Sequence, residues 1–161
     1  MSDENRLTLD TTEQVFFYEQ DFYVLSNFSA FRVIFGNVLH PTSEEAYHWQ
    51  KFTNAPKVTR LLFGAMSAHD AFVIANEHKA ERRQDWDAVK VPIMKDILRA
   101  KVAQHEYVRR KLLATGDRAL IENSWRDNFW GWGPNRDGHN MLGRLWMEVR
   151  AELRAALEAT R

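Results

Sequence analysis

The run from Pro41 to Phe52 constrains this chain more than any other stretch, because it sets both where a helix begins and which face that helix shows. Thr42 stands before two acids and an apolar run, which reads as an N-cap, and Glu45 three residues on completes a capping box. Glu45 therefore has a structural task. Glu44 lies on another side of the turn, with Tyr47, His48 and Lys51 as its neighbours at i+3, i+4 and i+7. Glu44 is the acid left for chemistry, with His48 and Lys51 beside it to tune its charge and Tyr47 to line a pocket. The alternative is that Glu44 only complements the positive end of the helix dipole. His48 likewise has a structural reading.

Residues 1–13 are polar and unpatterned and read as a flexible N-terminal arm, leaving 14–161 as a single domain. From Val15 the chain turns β-branched and aromatic. Val15 to Tyr18 and Phe31 to Phe35 read as strands, Gly36-Asn37 as a turn and Val38-Leu39 as a return strand, which together predict a small antiparallel sheet. Asn27, among large apolar residues, reads either as a turn cap or as a ligand contact.

Pro56 suits the first turn of a helix whose buried stripe is Val58, Leu61, Leu62 and Ala65. Ser67 and Asp70 open another, with Ala71, Phe72, Ile74 and Ala75 on its apolar side. Lys79, Arg82 and Arg83 form a basic cluster, either a solvated run or an anion site. A helical pattern follows from Asp85-Trp86-Asp87 to Val102, interrupted by Pro92, which predicts a kink or a start near Val91. Trp86 at its mouth is either a core anchor or a stacking platform. Gly116 suits a helix C-cap, Ala119 to Glu122 a short strand, and the last stretch a docking helix through Leu142, Trp146, Val149 and Leu153.

Between Trp125 and Gly143, glycines at 131, 133 and 138 alternate with Trp130 and Trp132, bracketed by Asp127 and Asn140. Such glycines permit close backbone approach to a ligand, and they also make an ordinary ordered loop. Asp127, Trp130 and Asn140 are its candidate functional side chains.

Charge and residue usage narrow the function. Lys+Arg and Asp+Glu are both 22, so the chain lacks the electrostatic footprint for gripping long nucleic acid, and any phosphate is met by a few local charges. With 6 Trp and 10 Phe, aromatic rings exceed the needs of packing and can hold a flat ligand. Cys 0 excludes thiolate nucleophiles, disulfides and cysteine metal sites, and no metal or cofactor is expected. No leader pattern and no membrane-length apolar run is seen, so a soluble cytoplasmic protein is expected, with a small molecule rather than a membrane as partner.

In their order along the chain these stretches resemble the YbiA/NADAR family of N-glycosidases. The likeness rests on Leu25-Ser26-Asn27-Phe28, on Pro41-Thr42-Ser43-Glu44 with Gln50-Lys51-Phe52, and on Trp86 with Val89-Lys90 and Met94. It continues through Ala100-Lys101, Thr115-Gly116-Asp117, Asp127 with Trp130-Gly131, and Gly138, Asn140 and Leu142-Gly143 leading into Met147 and Arg150. The resemblance implies a mostly helical α+β fold and cleavage of the C–N glycosidic bond of small ribosyl compounds. The substrates it implies are phosphoribosylamino-pyrimidine intermediates of riboflavin biosynthesis or, alternatively, ADP-ribose on a nucleobase. Glu44, Trp86 and Asp127 match the family's functional acid, aromatic and second acid. In two places the chain departs: Ala75-Asn76 stands where family members carry Gly-Arg, and Pro92 interrupts a helix usually free of proline. The first leaves Lys51, Arg82 or Arg83 to supply a phosphate contact.

On that basis Glu44 activates water or stabilises the sugar cation, Asp127 orients the sugar or assists protonation, and Trp86 stacks on the leaving group. A binding module for ADP-ribose without turnover, and a purely structural interaction domain, are the rival classes.

Overall fold

The computed structural model describes residues 9–18 and 20–161, so residues 1–8 of the expected arm lie outside the described residues. Residues 10–13 form a turn that leads into the first strand: the Phe16 N–H donates to Asp10 Oδ1 at 2.8 Å and the Gln14 N–H to Thr11 Oγ1 at 2.9 Å. The fold is α+β and mostly helical. In chain order the described elements are β1 (Gln14–Phe16), a 3₁₀ turn (Gln20–Leu25), β2 (Val33–Phe35), β3 (Val38–His40), α1 (Ser43–Gln50), α2 (Pro56–Phe63) and α3 (Ala68–Glu77). A second 3₁₀ turn (Lys79–Glu81) is followed by α4 (Trp86–Gln104), α5 (Glu106–Ala114), β4 (Ala119–Ile121) and α6 (Met141–Ala159). No helix among the described residues is long and apolar enough to cross a membrane.

The described residues form two compact units, one of Asn27–Arg110 and the other of those up to Ser26 with Lys111–Arg161. In the first, β2 and β3 make the expected antiparallel hairpin, with Ile34 opposite Leu39. Gly36 and Asn37 both have positive φ (58° and 62°), the conformation that a tight two-residue hairpin turn requires. The free edge of β2 is covered by one side chain. The Gln104 amide accepts from Ile34 N–H at 2.7 Å and donates to Ile34 O at 2.9 Å, as a neighbouring strand would.

Helix α1 packs against α2, α3 and α4. Phe52, Val58, Leu62, Ala71 and Ala75 form a buried cluster beside it, and Met94, Ile97, Leu98 and Val102 are the buried stripe of α4. Each fully buried large side chain contributes roughly 1.5–3 kcal/mol. Leu61 and Phe72, expected in the core, are instead 48% and 42% exposed, so each of their helices presents a narrower apolar stripe. Helix α4 begins at Trp86 rather than near Val91, and runs through Pro92. Pro92 is exposed, so water can satisfy the carbonyl it leaves without a donor, while the buried stripe beyond it holds the helix.

In the other unit β1 does not join the hairpin. It pairs in parallel with β4, Val15 opposite Leu120. Helix α6 lies so close to β4 that a Cβ at Gly143 would meet Leu120 O at 2.0 Å. Trp146 Nε1 donates to Leu25 O at 2.9 Å, and Arg150 donates to Thr115 Oγ1 at 2.8 Å and Arg118 O at 2.9 Å.

Candidate functional site

The start of α1 is unusual in being buried: Ser43 to His48 are all largely out of solvent. A buried helix end must find acceptors for its free N–H groups. Thr42 Oγ1 accepts from Glu45 N–H at 3.2 Å, as the sequence predicts, and Asn27 O accepts from Glu44 N–H at 3.0 Å. The capping box itself is only half made. The Glu45 carboxyl does not turn back to the cap but meets His40 Nδ1, at the end of β3, at 3.3 Å. His40 is fully buried and edge-on to Trp49, so Glu45 ties strand to helix.

Glu44 points elsewhere. Its Oε1 lies 2.7 Å from His48 Nε2, one helical turn on, and the Glu44 side chain keeps 11% exposure against 3% for His48. The pair is therefore sealed at the histidine and reachable at the acid. Asn27, 7% exposed, donates from Nδ2 toward Met94 Sδ at 3.5 Å, so its amide sits between α4 and the first turn of α1.

Lys51 completes this face. Its Nζ lies 4.7 Å from the centroid of the Tyr47 ring and 5.8 Å from that of Trp86, and those two rings are 5.1 Å apart. Burial pushes the Lys51 amine down to about 8; the charge of Glu44 opposes that shift, and Arg82, Lys90 and Lys79 add to it. An ammonium with that pKa is a proton donor matched to neutral pH. Trp86 is 1% exposed, and its packing partner Tyr47 comes from α1. Its ring thus floors the Tyr47–Lys51 contact and, in this conformation, has no open face for a base.

The structure brings Asn27, Glu44, Tyr47, His48, Lys51 and Trp86 into one unit. Asp127, Trp130 and Asn140 belong to the other. Asp127 Oδ1 accepts from both Phe129 N–H at 2.8 Å and Trp130 N–H at 2.7 Å, so this oxygen shapes the loop. The glycines serve the loop's own backbone. A Cβ at Gly133 would meet Asn128 Oδ1 at 1.8 Å, and one at Gly138 would meet Asn128 O at 2.7 Å and Gly131 O at 2.8 Å. Asn140 uses both ends of its amide at the end of β4, accepting from the N–H of the following residue, Glu122, and donating to Leu120 O, each at 2.9 Å. Trp130 stands edge-on to Phe129.

Sequence reasoning missed His40 as the partner of Glu45, and although it took Lys90 as part of the family likeness it did not place Lys90 near Lys51, where its charge acts. The i+4 spacing from Trp86 was the available signal for Lys90. Among the described residues no His, Asp and Glu side chains gather as metal ligands.

Comparison with known proteins identifies the family and the fold. Residues 16–154 match the NADAR domain family. An N-glycosidase of Nostoc punctiforme is 35% identical over 150 residues, spanning 91% of this chain and 96% of that protein. A riboflavin biosynthesis protein of Vibrio vulnificus is 36% identical over 88% of this chain, which spans only 39% of that longer protein. The NMR structure of the Escherichia coli protein YbiA superposes with a TM-score of 0.81 at 31% identity, covering 98% of this chain and 93% of that one.

Proposed function

Since this chain belongs to the NADAR domain family, we propose that its Glu44 face hydrolyses the C–N glycosidic bond of small ribosyl compounds. The enzyme is of the N-glycosidase type. Its proposed substrates are phosphoribosylamino-pyrimidines such as the early intermediates of riboflavin biosynthesis. The observation that carries this reading is the Glu44–His48 pair, a nearly buried carboxyl with one oxygen held at 2.7 Å, beside a half-buried amine.

The chemistry follows from those groups. As the C–N bond breaks, its electron pair goes to the nitrogen, which must gain a proton, and the sugar carbon becomes an oxocarbenium-like centre. Glu44 stabilises that positive charge and takes the proton of the water that adds to it, while His48 holds the carboxyl in one rotamer. Lys51 supplies the proton to the leaving nitrogen. Tyr47 and Trp86 keep the Lys51 amine in place, and Asn27 anchors the first turn of α1. Asp127 is carried as the second acid that the family resemblance implies. In its own unit the support is that both turn hydrogen bonds use Oδ1, leaving Oδ2 outside the turn.

The test is incubation with N-ribosides, following free base and free sugar by mass spectrometry. Stoichiometric release of both is expected. Binding without release would replace the enzyme with a binding module.

A further inference from the structure

We propose that Arg82 and Lys90 form an anion subsite that receives the phosphate of the substrate next to the Lys51 amine. The inference rests on the N-glycosidase reading only for the molecule that carries the phosphate.

Arg82 Nη2 lies 3.7 Å from one oxygen of Asp87, and Lys90 Nζ lies 3.4 Å from the other. One carboxylate thus stands between two cations, and its side chain is 72% exposed, so water screens most of what it offers them. The Arg82 and Lys90 side chains are much less exposed, at 30% and 22%. The Arg83 N–H donates to Lys51 O at 2.8 Å, which fastens this segment to the end of α1. Lys51 Nζ is 5.8 Å from the Trp86 ring, and Lys90 is the residue one turn beyond Trp86. All three cations therefore lie by the first turns of α4, Lys51 against the Trp86 ring and the other two on Asp87. Of the charges acting on Lys51, Glu44 is the opposing one, while Arg82, Lys90 and Lys79 all repel it.

The exposed Asp87 carboxylate offsets only part of this like charge, and a phosphate suits the arrangement: a planar guanidinium fork on one side and an ammonium on the other. Arg83, which the sequence offered equally, is not available. Its Nε and Nη2 are engaged with Asp85 at 2.6 and 2.8 Å. A bound phosphate would also cancel the repulsion on Lys51 and raise its affinity for a proton. The substrate's own charge would then load the proton that the leaving nitrogen needs.

Either a phosphomonoester or a pyrophosphate has this chemistry, and titration with ribose 5-phosphate, ADP-ribose and ribose separates them. Calorimetry on the wild-type chain should show ribose 5-phosphate binding far more tightly than ribose. Arg82→Gln and Lys90→Gln should each weaken it roughly tenfold, the scale of one charge-assisted hydrogen bond. Arg83→Gln should bind as the wild type does. In parallel, the Lys51 side-chain NMR titration should move to higher pH when ribose 5-phosphate is present. Tighter binding of ADP-ribose would assign the subsite to a pyrophosphate. Equal affinity for ribose and ribose 5-phosphate, or an Arg83→Gln loss matching that of Arg82→Gln, would overturn the subsite. Because these are binding measurements, absence of base release beside this binding pattern would remove the N-glycosidase reading and leave the anion subsite standing.

Discussion

His48 Nε2 sits 2.7 Å from Glu44 Oε1, one turn apart on the same buried stretch of α1. Two polar side chains at i and i+4 on a surface helix would contribute a few tenths of a kcal/mol. Here the histidine is sealed and the acid nearly so, and leaving a buried carboxyl without its partner costs roughly 1–3 kcal/mol. His48 is accordingly a positioning residue. His48→Gln retains a nitrogen donor at nearly the same reach and should keep most turnover, whereas His48→Phe should lower kcat about ten- to hundredfold with little change in KM. Equal kcat in both variants, with normal melting, would confine His48 to packing.

Trp86 should behave as a core residue. Trp86→Ala opens a cavity beneath Tyr47 and should cost roughly 3–5 kcal/mol of stability, with Trp86→Phe losing clearly less. Chemical denaturation of both variants checks this. Loss of substrate binding in Trp86→Phe at unchanged stability would instead show that the ring stacks on the substrate in a conformation other than this one.

Asp127→Asn keeps an oxygen able to accept from the Phe129 and Trp130 N–H groups, so the loop should hold and the melting temperature should barely move. The charge is gone. Turnover should fall while folding persists, and unchanged kcat/KM would reduce Asp127 to a loop residue.

Lys51 makes stability depend on pH in a definite direction. Its folded pKa, about 8, lies below the ordinary lysine value of 10.5, so between those limits the unfolded chain holds more of its proton. Stability should therefore rise with pH across that window, and the penalty of burying the charged amine should be fully present below about 8. Lys51→Met should flatten this rise, which can amount to at most about 1.4 kcal/mol per pH unit before solvent screening. Parallel profiles for wild type and Lys51→Met would contradict the lowered pKa of this half-buried amine.

Much of this was legible in the residues because it is local. Thr42 and Ser67 cap their helices with their own hydroxyls, accepting from Glu45 and Asp70 N–H groups. The Glu44, Tyr47, His48 and Lys51 stripe follows from helical spacing alone. What was not legible depends on partners distant in sequence or across a turn. Glu45 turned to His40, which another element, β3, supplies. Trp86 could face solvent or core, and the choice was made by Tyr47 of another helix. Strand β1 found its parallel partner in β4, beyond both strands of the hairpin and five helices. The glycines at 131, 133 and 138 correctly marked a close approach, but what approaches is the loop's own backbone and the Asn128 side chain.

The central claim is that Glu44 carries the chemistry while Glu45 carries structure, and single-turnover base release from Glu44→Gln and Glu45→Gln tests it most directly. Glutamine at 44 can still meet His48 Nε2, so the expected loss of stability is only the first-turn charge effect, ~0.3–1 kcal/mol. It can neither take a proton from water nor stabilise a sugar cation by charge, so base release should fall by about 10²–10⁴-fold. Glutamine at 45 keeps an oxygen for His40 and should release base at nearly the wild-type rate, with the larger change in melting temperature. An active Glu44→Gln enzyme beside a well-folded but inactive Glu45→Gln enzyme would contradict the account and exchange the two roles.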